Sequence, residues 1–588
     1  IDGENAEAAL AAGTASEINA VVNSCPEVQG LVLLGLAQGD DLSTVRRELG
    51  LSAEPMDVAA DGEDVAVVRG LKTAPLGFAY VGENPQELRD AVESTDIDQW
   101  RIFLHPEQRQ YVTKETNGAY RLSGGAGTGK TVVLLHRARH LAQKDPEQRI
   151  LLTTFTRTLA ESLSTNMGKL VPELEIVPLG EPGIAILGID QIAYRILAEA
   201  SVVEKDSAHQ TVFGSGRNAM TKLSGREAYS WKQAAASVEH GLANHLIEPA
   251  FLAQEYLAVV LAGRITSLAD YVKVPRPGRG TALNRKARMG LWKIVEAFRR
   301  ENELDDQLTY PEQTVVAAAI LEHRAAGGQP LPADSVLVDE AQDLHAGHWQ
   351  LLRALAPEGP DDLFIAEDSH QRIYGQKISL NQFGIKIRGR ARRLRLNYRT
   401  TAENLAYAIS ILSGQDYLDL EGGEENTAEY HSVRTGPEPL RVGATDLHSE
   451  LDAAVEHLQR WQEKKVEGNA IGILARSEKA LKSIHTGLLE RDIQTQVVTA
   501  RTKRPQPDQP LLMTMHSAKG MEFQNVIVMG VGDGELPATW DFGKLPEAEQ
   551  EDAVMRERSL LYVAASRARD ELVITWAGEP SRLLGGKT

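Results

Sequence analysis

The stretch "RLSGGAGTGKTVVLLHRARHLAQ", residues 121–143, sets Gly124, four residues, Gly129, Lys130 and Thr131 between a short apolar run and an amphipathic one. Glycines ahead of a helix leave successive backbone N–H groups bare of side chains, and the helix N-terminus adds a positive end. Such a loop cradles phosphate. In this spacing, the P-loop pattern, the Lys130 ammonium reaches the outer phosphates and the Thr131 hydroxyl ligates Mg2+, while Gly125, Gly127 and Gly129 leave the backbone open to the ligand. Further along, "SVLVDEAQD" ends a short apolar run on Asp339 and Glu340. A carboxylate at the end of a buried strand holds magnesium, and its neighbour orients an attacking water. Cradle and acid pair together point to hydrolysis of ATP rather than binding alone.

These residues need strands that end and helices that begin at fixed places. "AYRLS" ahead of the loop reads as a strand, and "TVVLLHRARHLAQ" after it carries apolar residues at helical spacing. From about residue 100 onward, β-rich runs such as "ILLTTF", "DLFIAED", "AIGILAR", "LLMTMH", "NVIVMG" and "ELVITW" alternate with helical stretches. That alternation predicts parallel sheets covered on both faces. The runs form two clusters, at about 100–375 and 390–588, the first interrupted by a strand-poor, partly basic helical region. Residues 1 to about 98 read as mainly helical in their first half.

The chain has 588 residues and a formal charge of −19, but the acidity is uneven: residues 1–98 hold 19 acidic against 5 basic side chains. By contrast, "YVKVPRPGRGTALNRKARMGLWKIVEAFRR" carries nine Lys/Arg and one Glu, and "KIRGRARRLRLNYR" carries no acid at all. One cysteine, Cys25, excludes a disulfide framework and a thiolate metal site, which makes a reducing cytoplasm the expected location. No run approaches the roughly 20 apolar residues of a membrane span. The sequence opens on Ile1 rather than Met, so an N-terminal element is expected to precede it.

The ordered set "LHPEQRQYV", "SGGAGTGKT", "TTFTRTLAESL", "VLVDEAQD", "EDSHQRIYG", "LNYRT", "MTMHSAKGMEFQNVIV" and "RERSLLYVAASRARDEL" resembles the motifs of the UvrD/Rep/PcrA group of superfamily-one helicases. The resemblance covers about residues 100–588. It implies an α/β fold of two RecA-like parallel-sheet P-loop domains with a helical insertion and a mainly helical N-terminal accessory module. The expected boundaries are 1–98 for the acidic module, 99–197 and 309–385 for the two parts of the first RecA-like domain, 198–308 for the basic helical insertion, and 386–588 for the second RecA-like domain. The implied activity is ATP-driven translocation or unwinding, 3′→5′, on single-stranded nucleic acid, DNA rather than RNA, with ATP and Mg2+ as cofactors.

The same resemblance implies roles for single residues. Gln108 reads adenine and Tyr398 stacks on it. Lys130 and Thr131 hold phosphate and magnesium, with Asp339 as the metal partner and Glu340 as the base. Arg399 and Arg567 reach the γ-phosphate from the second sheet domain, Gln371 senses it, and Gly520 and Glu522 lie near ribose and phosphates. Phe155, Thr156, Tyr374, Thr514 and His516 contact the strand, joined by Arg285, Lys286 and Arg288 of the basic insertion.

Two departures temper this. The family has Trp and Arg soon after the tyrosine of "QRIYG"; Gln376 and Lys377 stand there instead. The roughly 110 residues between "LNYRT" and "MTMHS" are those the second sheet domain itself needs, leaving no room for the family's long second insertion. Translocation is thereby expected more firmly than processive unwinding. Two rivals remain: an ATPase that displaces proteins from nucleic acid without unwinding, and a nucleotide-gated regulatory module coupled to a toxin-like partner upstream. A protein partner for the acidic module is also expected. Nothing after "ELVITW" resembles a fused nuclease.

Overall fold

A computed structural model describes residue 21 and residues 104–584, apart from 217–220, 223–226, 374–377, 414–416, 419, 421–423, 426–429, 499–505 and 539–546. Apart from Val21, the 1–98 module lies outside the described residues, as do Tyr374, Gln376 and Lys377. The chain divides into two compact units, residues 1–110 and 111–588. Both sheets belong to the second.

Strands β1 (Tyr120–Gly124), β2 (Arg149–Thr154), β3 (Gly183–Gly188), β4 (Ser335–Val338), β5 (Leu363–Glu367) and β6 (Ala391–Leu394) form a six-stranded sheet in the order β3-β2-β4-β5-β1-β6. Every neighbouring pair is parallel. Residues 391–394 were expected in the second domain but hydrogen-bond to β1 at the edge of the first sheet, so the change of sheet falls after Leu394. A basic run with alternating exposure suits an edge strand, whose outer side faces water.

Strands β7 (Leu440–Ala444), β8 (Ile471–Ala475), β9 (Gln496–Val497), β10 (Leu511–Thr514), β11 (Phe523–Val528) and β12 (Ala568–Ala577) form the second sheet, in the order β7-β12-β11-β8-β10-β9 and again parallel throughout. Its inner strands β8, β10 and β11 are apolar at consecutive positions because both faces are covered, whereas the edge strands β7 and β9 are more exposed. Met513, Val526 and Ile574 enter one core cluster, while their neighbours Leu512, Ile527 and Val573 enter the other. Between Thr401 and Leu511 the described residues are strands of this sheet, the helices that cover it and short pairings beside it.

Helices start where the sequence supplies caps. Helix α1 (Lys130–Lys144) begins directly after Gly129, whose φ of 79° is a left-handed turn that glycine makes without steric cost. At α2 (Arg157–Leu170), the Thr156 hydroxyl accepts from the Leu159 N–H. In the insertion, α3 (Arg285–Leu304) is capped by Asn284; just after it, α4 (Tyr310–Ala326) is capped by a reciprocal Thr309–Glu312 capping box. The insertion does not stand apart from the first sheet. Trp231, Tyr256 and Phe298, with the rings of Trp231 and Phe298 stacked at 3.6 Å, belong to one continuous core with α4 and strands β2, β4 and β5. Helix α5 (Glu547–Ala565) packs on the second sheet and leads to Arg567.

Candidate nucleotide and nucleic-acid site

The glycine loop between β1 and α1 is embraced by residues from beyond Leu394. Asn397 donates from Nδ2 to the Ala126 carbonyl at 2.9 Å, and the Ala126 N–H donates to the Tyr562 hydroxyl at 3.2 Å. The fit leaves no room for side chains: a Cβ on Gly127 would lie 2.7 Å from the Asn397 amide, and one on Gly125 would lie 3.2 Å from the Tyr430 ring. Gly127 also needs its glycine for φ 72°. The Lys130 ammonium turns onto the loop, donating to the carbonyls of Gly124 and Gly125 at 2.7 and 2.9 Å, with Asp368 at 3.9 Å.

Beside it, the Thr131 hydroxyl donates to Asp339 Oδ2 at 2.8 Å. Burial and the neighbouring Glu340 charge push the Asp339 carboxyl up to about 7. Burial alone would raise Glu340 as well, but the surrounding cations Lys519, Lys130 and Arg567 outweigh it and hold Glu340 low. The buried Asp339 carboxylate and its neighbour Glu340, next to the Thr131 hydroxyl, are a hard oxygen donor set. The set fits a divalent cation such as Mg2+.

From the second sheet, Arg567 donates to Gln371 Oε1 at 3.0 Å, and Gln371 in turn donates to Asp368 at 2.7 Å. Asp368 is held down at about 2: its burial is outweighed by Lys130, with help from His370 and Gln371. An unbroken polar chain thus runs from Arg567 through Gln371 and Asp368 to Lys130. Arg567 also donates to the carbonyls of Val563 and Met521, which fixes its direction. Arg399 pairs with Glu522, and its guanidinium lies 5.9 Å from the centre of the buried Tyr398 ring. Gly520, at φ 75°, faces Leu159 of α2 so closely that a Cβ would lie 2.3 Å from it. Gln108 belongs to the first compact unit, where its amide oxygen accepts from the His105 N–H at 3.0 Å.

Of the expected strand contacts, Phe155 is half-buried and meets His348 edge-on at 5.9 Å. The Thr156 hydroxyl is already engaged as a helix cap. Thr514 shares a hydrogen bond with Ser517 at 2.8 Å and accepts from its N–H. His516 is lowered to about 4 by burial and by Arg476, so it is neutral at pH 7 and offers hydrogen bonding rather than charge. Arg288 needs a correction. Its Nη1 donates to the carbonyls of Tyr271, Val272 and Val274, closing the end of the preceding helix Leu268–Lys273, which is structural work. Arg276 and Arg279 likewise converge on the buried Glu255. Within the basic run, Lys273, Arg285, Lys286, Lys293 and Arg300 keep exposed side chains, five of the nine, so the charge offered to solvent is smaller than the sequence count.

Sequence reading missed Asp368, Asn397, Lys519 and Tyr562. Each sits inside a stretch that the reading had already singled out. The usable signal was a polar or ionisable residue next to an apolar run, where burial demands a partner.

The UvrD/REP helicase N-terminal domain family matches residues 104–383, and the UvrD-like helicase C-terminal domain family matches residues 499–579. A probable DNA helicase of Mycoplasma pneumoniae is 23% identical over 509 residues, which cover 82% of this chain and 86% of that protein. DNA helicase IV of Escherichia coli is 25% identical over 511 residues, covering 81% of this chain and 68% of its own. A shorter stretch of 85 residues, 13% of this chain and 12% of the relative, is 38% identical to ATP-dependent DNA helicase UvrD2 of Mycobacterium tuberculosis.

Proposed function

We propose, for a chain that belongs to the UvrD/Rep/PcrA-like superfamily-one helicases and is an ATP-hydrolysing DNA helicase, that it moves 3′→5′ along single-stranded DNA by closing and opening the cleft between its two parallel sheets. The observation that carries this reading is the polar chain Arg567–Gln371–Asp368–Lys130. It joins the second sheet to the phosphate cradle through side chains that must be rearranged when a γ-phosphate enters.

In this reading Lys130 leaves the loop carbonyls for phosphate, and Arg567 and Arg399 turn to the γ-phosphate, Arg399 exchanging Glu522 for it. Their charges offset what builds up in phosphoryl transfer. Glu340, held as a carboxylate, accepts the proton of the attacking water. Thr131 and Asp339 would hold Mg2+, which supplies charge stabilisation at the phosphates. Tyr398 takes the base, with Gly520 and Glu522 near the ribose. Phe155, Thr514 and His516 touch the strand, and Arg285 and Lys286 attract it from the insertion.

Steady-state ATP hydrolysis tests this with no polymer, single-stranded DNA, single-stranded RNA and duplex, with Lys130→Ala and Glu340→Gln as controls. The expected result is strong stimulation by single-stranded DNA that both variants abolish. A rate indifferent to every polymer would sink the motor reading. Strand displacement from substrates with a 3′ or a 5′ tail then reads polarity, and unwinding of the 5′-tailed one alone would reverse the assigned direction.

A further inference from the structure

His370 sits in the turn that follows β5, between Asp368 and Gln371. Its side chain is wholly buried, and among the described residues neither ring nitrogen has a hydrogen-bond partner. Buried polar atoms are nearly always paired, so an imidazole with two idle nitrogens calls for an explanation. An acceptor lies close by: Nδ1 stands 3.3 Å from Asp368 Oδ1, near enough for a hydrogen bond but out of line for one. The rings of Tyr417, at 4.9 Å, and of Tyr430 and Tyr562, both at 6.2 Å, hem the imidazole in.

The Asp368 carboxylate divides its duties by oxygen. Oδ2 accepts from Gln371 at 2.7 Å and faces the Lys130 ammonium at 3.9 Å, whereas Oδ1 accepts the His370 backbone N–H at 3.1 Å. Against the burial of this carboxylate, Lys130 is the leading charge that keeps it ionised. A phosphate in the cradle draws that ammonium to itself. Asp368 is then a buried anion short of a counter-charge, a costly state unless a donor takes over.

We propose that His370 is that donor, a positioning residue whose Nδ1–H closes onto Asp368 Oδ1 when ATP takes Lys130, and so keeps Asp368 charged and aimed at Gln371. This rests on the reading that Lys130 leaves the loop for phosphate. The same ligand frees the ring to turn. The Tyr562 hydroxyl is held by the Ala126 N–H, one of the loop groups that phosphate claims, so one wall around the imidazole loosens as Lys130 departs.

The test measures binding of the β,γ-imido analogue of ATP, with Mg2+, by calorimetry. His370→Leu is expected to bind it about 10-fold more weakly, the worth of a hydrogen bond to a buried charge. His370→Asn, whose amide places a donor where Nδ1 stands, should stay within about threefold of the unaltered chain. Beside Asp368→Asn, where no charge needs a donor, His370→Leu should change affinity by less than about twofold. Thermal melts without nucleotide should show His370→Leu no less stable than the unaltered chain, because an apolar side chain replaces a ring with idle nitrogens. Full affinity in His370→Leu, an equal loss in His370→Asn, or a loss that persists beside Asp368→Asn would each overturn the proposal. Lys130→Ala separates it from the reading beneath it: with affinity lost there and kept in His370→Leu, the proposal alone falls. If Lys130→Ala binds as tightly as the unaltered chain, the cradle reading falls and the proposal falls with it.

Discussion

At the residue scale, the cleft shows how a few positions are committed by what surrounds them. Gly127 is required twice, by its φ of 72° and by the Asn397 amide facing it. Gly127→Ala should therefore cost about 1–2 kcal/mol from the backbone alone, read by denaturant unfolding. Adding Asn397→Gly should recover only the part due to the clash; full recovery would show that the backbone conformation carries no strain. His516 offers a check by pH. Its folded value near 4 lies below the ordinary 6.5, so the folded chain resists a proton that the unfolded chain takes up. Stability is then intact above about pH 6.5 and declines as pH falls toward 4, by up to about 3 kcal/mol from this group. His516→Gln should flatten that part of the stability curve, and an unchanged slope between pH 6.5 and 4 would count against the buried neutral histidine.

At the scale of elements, the basic insertion is a lesson in counting charges. Three carbonyls at the end of the helix Leu268–Lys273 depend on Arg288, whereas Arg285 and Lys286 project from the first turn of α3 into solvent. Arg288→Ala should lower stability by about 1–3 kcal/mol, the cost of leaving such acceptors unpaired, while changing the salt dependence of strand binding little. The pair Arg285→Ala/Lys286→Ala should do the reverse. Stability should stay within about 0.5 kcal/mol, and the slope of log affinity against log salt should drop by up to about 0.7 per lost phosphate contact. Fluorescence anisotropy over a salt series and thermal melts of the same preparations separate the two outcomes. Equal effects of both changes would mean that the insertion does not divide its arginines in this way.

At the scale of the whole molecule, the two sheets are joined at the catalytic end by polar side chains as well as by a small apolar seam in which Ala126 and Ile373 meet Met515, Ala518 and Tyr562. Arg567, Gln371, Asp368 and Lys130 form one path, and Lys519 with Asp343 and Glu340 forms a second. Polar contacts of this kind exchange partners more readily than packed core, which suits a cleft that must cycle. Arg567→Ala should lower kcat about 10³-fold, as loss of an arginine at the γ-phosphate does. Gln371→Ala, combined with it in a double-mutant cycle on kcat/KM, should show a coupling of about 0.5–3 kcal/mol. Strict additivity would break the proposed path between Arg567 and Lys130.

Much of this was legible without coordinates. Apolar runs of strand length, separated by amphipathic stretches, are enough to imply parallel sheets, because only burial on both faces tolerates such runs. The glycine spacing ahead of Lys130 and Thr131 marks a phosphate cradle, because backbone N–H groups can reach an anion only where side chains are missing. Those are local facts, written in neighbouring residues. Partnership across the fold is not local. That Arg288 and Arg276 serve the insertion rather than solvent, that residues 391–394 close the first sheet, and that Lys519 reaches Asp343 from 176 positions away depend on which surfaces the chain brings together. A buried charge must find a counter-charge, but the sequence states only the need; the tertiary structure chooses the partner, because desolvation makes every unpaired alternative cost more.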